Sequence, residues 1–187
     1  MKIAVDLDGV LAESMEVWCE LANAEFRTHV KMEDLDSWSW WKKFPISKDE
    51  FYRLLDKSWE EWRRIPPTES GISAKVAQIG KFGDVDIVTG RSKRTEKFAR
   101  DWIENQKIPY DQFIRVEGWR EKADLAYDVF IDDAPDLMPL LSHRLIPWAI
   151  LYERPWNRNV ADLRKILKVK SWSQIPKLLN RIQKAES

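Results

Sequence analysis

Asp6 and Asp8 close a short apolar run, Lys2-Ile3-Ala4-Val5-Asp6-Leu7-Asp8-Gly9-Val10. The β-branched and small apolar residues predict a buried strand that stops at Asp6 or Leu7, with the turn at Gly9. Two acids at i and i+2 across a bending strand end can face one crevice. Ligands of open α/β sheets bind outside the carboxyl ends of the strands, so this pair stands where chemistry is expected. Asp6 there suits a nucleophile or metal ligand, and Asp8 a general acid/base. The plainer alternative is two turn formers that merely end a strand.

Two later apolar runs end in the same way. Val85-Asp86-Ile87-Val88-Thr89 runs into Gly90-Arg91, and Val129-Phe130-Ile131 runs into Asp132-Asp133. Strand ends of a parallel sheet share one edge, so Asp6, Asp8, Asp132 and Asp133 converge there. Four like charges in a low-dielectric site repel by several kcal/mol. A hard divalent cation removes that cost. Oxygen ligands without His or Cys point to Mg²⁺. A cationic side chain is the alternative counter-charge, and Lys122 is the candidate. Thr89 offers a hydroxyl, and Gly90 allows close approach of the backbone to a ligand. Ser92 and the following helix N-terminus add backbone donors, a natural anion site. Taken singly, Thr89 is an ordinary strand residue and Lys122 a surface lysine.

Periodicity outlines the elements that must position these groups. Residues 14–27 carry Val17, Trp18, Leu21, Ala22 and Phe26 at helical spacing. Residues 36–41 fit no period. Ser47-Lys48-Asp49-Glu50 is a capping box, followed by an apolar stripe of Phe51, Leu54, Leu55, Trp59 and Trp62 that Pro66-Pro67 terminates. Residues 14–68 are therefore expected to be a helical insertion. Residues 1–13 and 69–187 are expected to form the core.

Beyond Gly71 the pattern alternates. It predicts a helix over 72–81, a strand over 85–89, a helix capped by Ser92 and a short strand over 113–116. A strand over 129–131, a short helix over 134–141 and a strand over 148–152 follow. A helix over 162–167 and a last helix capped by Ser173 complete the series. The fold class is α/β: a Rossmann-like parallel sheet with helices on both faces and a small helical cap inserted after the first strand.

Composition narrows the function classes. Thirty-one basic residues balance thirty-one acidic ones over 187 positions. No global basic field favours a nucleic acid polymer or an anionic membrane. No apolar run is long enough to span a bilayer, and no secretory pattern is seen, so a cytoplasmic protein is expected. Cys19 is the one cysteine, which excludes an intrachain disulfide and a cysteine metal cluster. His29 and His143 lack metal-ligand spacing. Of eleven tryptophans, six precede residue 70. Packing explains most of them, while Trp18, Trp40 and Trp41 are candidates to stack on a planar base.

Asp6-Leu7-Asp8-Gly9-Val10, Thr89-Gly90-Arg91, Lys122 and Asp132-Asp133 together resemble the four ordered motifs of the haloacid dehalogenase superfamily of phosphatases. The resemblance covers the whole chain, with the insertion where that superfamily places a cap. Within it the chain is most similar to the 5′(3′)-deoxyribonucleotidase-like group. That similarity rests on the short cap, the position of Lys122 and the segment Leu151-Tyr152-Glu153-Arg154-Pro155-Trp156-Asn157.

The resemblance implies a Mg²⁺-dependent phosphomonoester hydrolase. Asp6 would attack phosphorus. Asp8 would protonate the leaving oxygen and then activate water. Asp6, the Asp8 carbonyl, Asp133 and Asp132 would hold the metal, with Asp132 bound directly or through water. Thr89, Gly90, Arg91 and Lys122 would bind phosphate. A serine side-chain contact made in the family after Thr89 is absent here, because Gly90 stands there.

The expected partner is a small-molecule phosphomonoester, with nucleoside monophosphates as the substrate class, and the protein is expected to be a monomer or homodimer. A sugar-phosphate or other small-metabolite phosphatase is the alternative. A non-catalytic phospho-acceptor module is a third reading, disfavoured by the second acid Asp8 and by the insertion.

Overall fold

The computed structural model describes residues 1–44, 46–144 and 147–185, with the side chains of Trp40 and Trp119 outside the description. Six strands form one parallel sheet: β1 (Lys2–Val5), β2 (Asp84–Thr89), β3 (Phe113–Arg115), β4 (Val129–Asp132), β5 (Trp148–Tyr152) and β6 (Ile166–Val169). Their spatial order is β3-β2-β1-β4-β5-β6. β1 is central, between β2 and β4. This is why Ile3, Ala4 and Val5 are all apolar: both faces of a central parallel strand are covered.

Alternation along each strand builds two cores. Ile3, Val5, Ile87, Ile131 and Ile150 face one side and meet α3 (Ile72–Ile79), α4 (Glu96–Asn105) and α7 (Ile175–Ala185). Ala4, Val88, Phe130 and Leu151 face the other and meet α5 (Trp119–Ala123) and α6 (Leu137–Ser142). Helices thus cover both faces, as the sequence predicts.

Between β1 and α3 lie α1 (Ser14–Phe26) and α2 (Lys48–Glu60). They pack on each other around Trp18, Cys19, Ala22, Phe51 and Leu54, with Val30, Leu35 and Ile46 from the connection. The capping box forms as expected. Glu50 N–H donates to Ser47 Oγ at 3.2 Å, and Ser47 N–H donates to Glu50 Oε2 at 2.7 Å. Such a cap contributes about 1 kcal/mol.

The apolar stripe of α2 divides its loyalty. Phe51 and Leu54 belong to the insertion's own cluster, whereas Trp59 and Trp62 join the main core. Trp59 meets Trp102 of α4 edge to face at 6.2 Å. Trp62 lies beyond the end of α2 in a 3-10 turn, which carries it off the helical stripe.

The structure corrects three sequence expectations. Residues 166–169 form an edge strand paired with β5 rather than the end of a helix. A four-residue segment gains more from the open parallel ladder than from a single helical turn, and Lys165 turns into it with φ 61°. The last helix starts at Ile175, and Ser171 rather than Ser173 makes a capping box, at the preceding 3-10 turn, where its N–H donates to Gln174 Oε1 at 3.2 Å. Ser92 does not cap α4, because its hydroxyl donates to Asp56 of α2 at 3.1 Å.

Burial in the α1–α2 cluster pushes the Cys19 thiol up to about 12, with Asp34 and Glu13 adding to the shift. Near pH 8 the folded thiolate population is then roughly 1000-fold below that of an ordinary cysteine. Iodoacetamide labelling followed by mass spectrometry is expected to show slow modification of the native protein and rapid modification in guanidinium.

Candidate active site

The register of the sheet sets the site. Val5 of β1 lies opposite Ile131 of β4, and Asp6 N–H continues the ladder by donating to Ile131 O at 2.9 Å. Asp6 and Asp132 therefore leave the sheet at one level. Gly9 turns the chain with φ 75°, a conformation side chains disfavour. A Cβ on Gly9 would lie 2.2 Å from Asp133 Oδ2, so the glycine also makes room for that carboxylate.

Lys122, on the last turn of α5, joins the cluster. Its Nζ donates to Asp6 Oδ1 at 2.9 Å and to Asp132 Oδ2 at 2.7 Å. It is only 4 % exposed, so it is no surface lysine. Burial alone would lower its pKa, but Asp132 and Asp6 outweigh that and hold it above the usual lysine range. Asp6 is pushed up to about 7 by burial. Lys122 opposes this shift, and Asp132 and Asp8 reinforce it. Burial also raises Asp133 well above the usual carboxylate range, with Asp6 and Asp132 adding.

Asp6, Asp132 and Asp133 each offer an oxygen within 4.8 Å of the others'. The Asp8 carboxylate stands outside that group, although the sequence places all four acids together. Asp8 Oδ1 instead accepts from Ser14 Oγ, from Trp59 Nε1 at 2.8 Å and from Arg91 Nη1 at 3.0 Å. Thr89 is buried at the end of β2, where its Oγ1 accepts from Arg91 N–H at 3.2 Å. Thr89, Gly90, Arg91 and Lys122 all line the same cavity as Asp6, Asp8 and Asp133.

Five residues that complete the arrangement carry no sequence signal of their own: Ser14, Asp56, Trp59, Trp156 and Asn157. Trp156 Nε1 donates to Asp133 Oδ2 at 3.0 Å, and Asn157 Nδ2 donates to Asp133 O at 2.9 Å. Both sit in a 3-10 turn just after β5. The similarity of residues 151–157 to one enzyme group was the available hint, and it assigns no partner to either residue.

The cavity holds about 630 Å³. The insertion contributes Trp38, Trp41, Phe51, Tyr52 and Leu55 to its lining. Trp41 stacks on Phe51 at 5.0 Å between ring centres. Trp18, a candidate to stack on a base, is instead fully buried and donates its indole N–H to Phe51 O at 3.0 Å. The side chain of Trp40 lies outside the described residues. Both histidines are exposed.

The model of the 5′ nucleotidase, deoxy (pyrimidine), cytosolic type C protein family matches residues 1–185. The chain belongs to this family. It is 25 % identical over 182 residues to the 5′(3′)-deoxyribonucleotidases of Bacillus subtilis (strain 168) and Bacillus phage SPbeta, covering 95 % of this chain and 97 % of each relative.

Among solved structures it is similar to a haloacid dehalogenase-like family hydrolase from Xanthomonas campestris, with 15 % identity and a TM-score of 0.62 over 100 % of this chain and 98 % of that one. L-2-haloacid dehalogenase from Xanthobacter autotrophicus gives a TM-score of 0.61 at 9 % identity, over 96 % and 98 % of the two chains. The protein is thus a phosphatase on the haloacid dehalogenase fold. No described helix is long and apolar enough to cross a membrane.

Proposed function

We propose that this phosphatase hydrolyses nucleoside monophosphates through an aspartyl-phosphate on Asp6, with Mg²⁺ as cofactor and residues 14–68 as the cap. The observation that carries the reading is the pairing of one buried lysine with Asp6 and Asp132 at the floor of an aromatic-lined cavity.

A carboxylate oxygen of Asp6 forms the new bond to phosphorus as the ester P–O bond breaks. Asp8 gives its proton to the departing oxygen, so the alcohol leaves neutral and Asp8 becomes a carboxylate. Asp8 then takes a proton from water as that water attacks phosphorus and frees Asp6. Lys122 holds Asp6 in place and offsets phosphate charge. Thr89 and Gly90 contact the phosphate, and Trp38 and Trp41 stack on the base.

Mg²⁺ fits the donor set, which is all carboxylate oxygen with no His or Cys. Asp6 and Asp133, with Asp132 and the Asp8 carbonyl, would hold it. When bound, it supplies positive charge against which the phosphoryl oxygens are stabilised.

Phosphate release from a panel of nucleoside monophosphates, sugar phosphates and an aryl phosphate tests this reading. Metal-dependent turnover highest on the nucleotides is expected. Preference for sugar phosphates would reassign the substrate. No turnover by folded, Mg²⁺-loaded protein would point to a phospho-acceptor module.

Trp156 supports the metal side of the reading. Its indole N–H fixes Asp133 Oδ2, and loss of such outer contacts lowers metal affinity about 10–100-fold. Trp156→Phe is expected to weaken Mg²⁺ binding by that factor in calorimetric titration. Unchanged affinity would place Asp133 outside the metal site.

A further inference from the structure

Asp8 is held in an unequal way. Oδ1 accepts three hydrogen bonds, from Ser14, Trp59 and Arg91, whereas among the described residues none reaches Oδ2. Asp8 lines the cavity with its side chain 28 % exposed. An oxygen facing three donors, one of them a guanidinium, is a poor place for a proton. Oδ2 is therefore the oxygen free to exchange a proton with a ligand in the cavity.

Trp59 cannot swing away. It is fully buried, braced by Trp102, and lies under the Arg91 guanidinium at 5.2 Å. Arg91 is almost as confined, at 5 % exposure. Its Nε donates to Thr95 Oγ1 at 3.3 Å, and its Nη2 to Asp56 Oδ1 at 3.2 Å and Leu55 O at 3.4 Å. The other Asp56 oxygen accepts from Ser92.

Asp56 and Trp59 are three residues apart on α2 and so share a face. One face of this inserted helix therefore supplies both a donor to Asp8 and the carboxylate that holds the arginine of Asp8. Arg91 thus meets the site bonded to both Asp8 and Asp56.

We propose that Trp59 and Arg91 are positioning residues for Asp8, with Asp56 setting Arg91, so that the seating of α2 aims Asp8 Oδ2 and its proton at the leaving oxygen. This rests on the role of Asp8 as proton donor proposed above. The consequence is specific to the leaving group. An alkoxide needs the proton as the P–O bond breaks; a nitrophenolate leaves without it.

The test is kcat/KM of Mg²⁺-loaded enzyme on an alkyl phosphomonoester and on 4-nitrophenyl phosphate. This ratio reports the steps up to formation of the aspartyl-phosphate and is independent of its later hydrolysis. Asp8→Asn calibrates the assay, with an expected loss of about 10²–10⁴-fold on the alkyl ester and little on the aryl ester.

Trp59→Phe and Asp56→Asn are expected to lose about 10–100-fold on the alkyl ester, as misplaced catalytic groups do, and under about 3-fold on the aryl ester. Asp56 is partly exposed, so Asp56→Asn carries the test if Trp59→Phe does not fold. Equal losses on both esters, or no loss on either, would overturn the positioning role. If Asp8→Asn itself shows no dependence on the leaving group, the proton-donor reading of Asp8 fails, and with it the premise of the proposal.

Discussion

Asp6→Asn is expected to cost at least about 10⁴-fold in phosphate release while the fold survives, since loss of a nucleophile removes the covalent route outright. Rapid quenching of wild-type enzyme with labelled substrate should trap label on the protein that hydroxylamine removes, and Asp6→Asn should trap none. Retained turnover, or retained labelling, would move the nucleophile elsewhere.

The same substitution has an opposite effect on stability. The Asp6 carboxyl is raised from 3.8 to about 7, chiefly by burial. The folded state therefore holds a proton that the unfolded chain releases near pH 4. Without metal, this group is least costly to stability below pH 4, and stability falls as pH rises from there through about 7. An amide carries no such cost. In chelator above pH 7, Asp6→Asn should melt a few degrees higher than wild type, whereas near pH 4 the difference should shrink. A melting difference that is constant across this range would contradict the assignment.

Lys122→Met is expected to be the most damaging single change to the fold of the site. Lys122 Nζ is the cation that both Asp6 and Asp132 contact, at 2.9 and 2.7 Å. Its removal leaves buried carboxylates without their partner, a loss of about 3–5 kcal/mol. For a chain of this length that is roughly 6–20 °C in Tm by calorimetry.

Because the deficit is one of positive charge, Mg²⁺ should repair part of it. Saturation near 100 times Kd returns about 2.7 kcal/mol, and the gain in Tm should be larger for the variant than for wild type. Activity should stay low even when stability returns, since Asp6 loses its tether. A variant as stable as wild type in chelator would show that the carboxylates are neutralised by other means.

These residues differ in how far the linear chain announces them. Asp6, Asp132 and Asp133 stand out because each follows an apolar run, and Thr89 because its run is cut by glycine. Strand period and burial are local properties, so the sheet and its polar edge are legible. Lys122 has no local signal. The need for a counter-charge to the acids makes it a candidate and the resemblance gives it a role, but its bonds close a loop of 116 residues to Asp6.

The Arg91 guanidinium pairs with Asp8 and with Asp56, 83 and 35 residues away, and no local pattern announces either pairing. The misassigned segment at 162–167 failed for a related reason. Strand β6 exists because β5 offers it a free edge, and a four-residue run does not carry that information.

Taken alone, the sequence determined the α/β class, the parallel sheet, the helical insertion and the acids that end the strands, because these follow from hydrophobic period and from residues near one another in the chain. Tertiary structure alone decided which partner each charge takes. It placed Lys122 between Asp6 and Asp132, separated Asp8 from the other three acids, gave Trp156 to Asp133 and gave Trp59 to Asp8. Such pairings are settled when side chains far apart in sequence compete for the same donors in a buried space, where an unpaired charge or hydrogen bond costs too much to leave unmade.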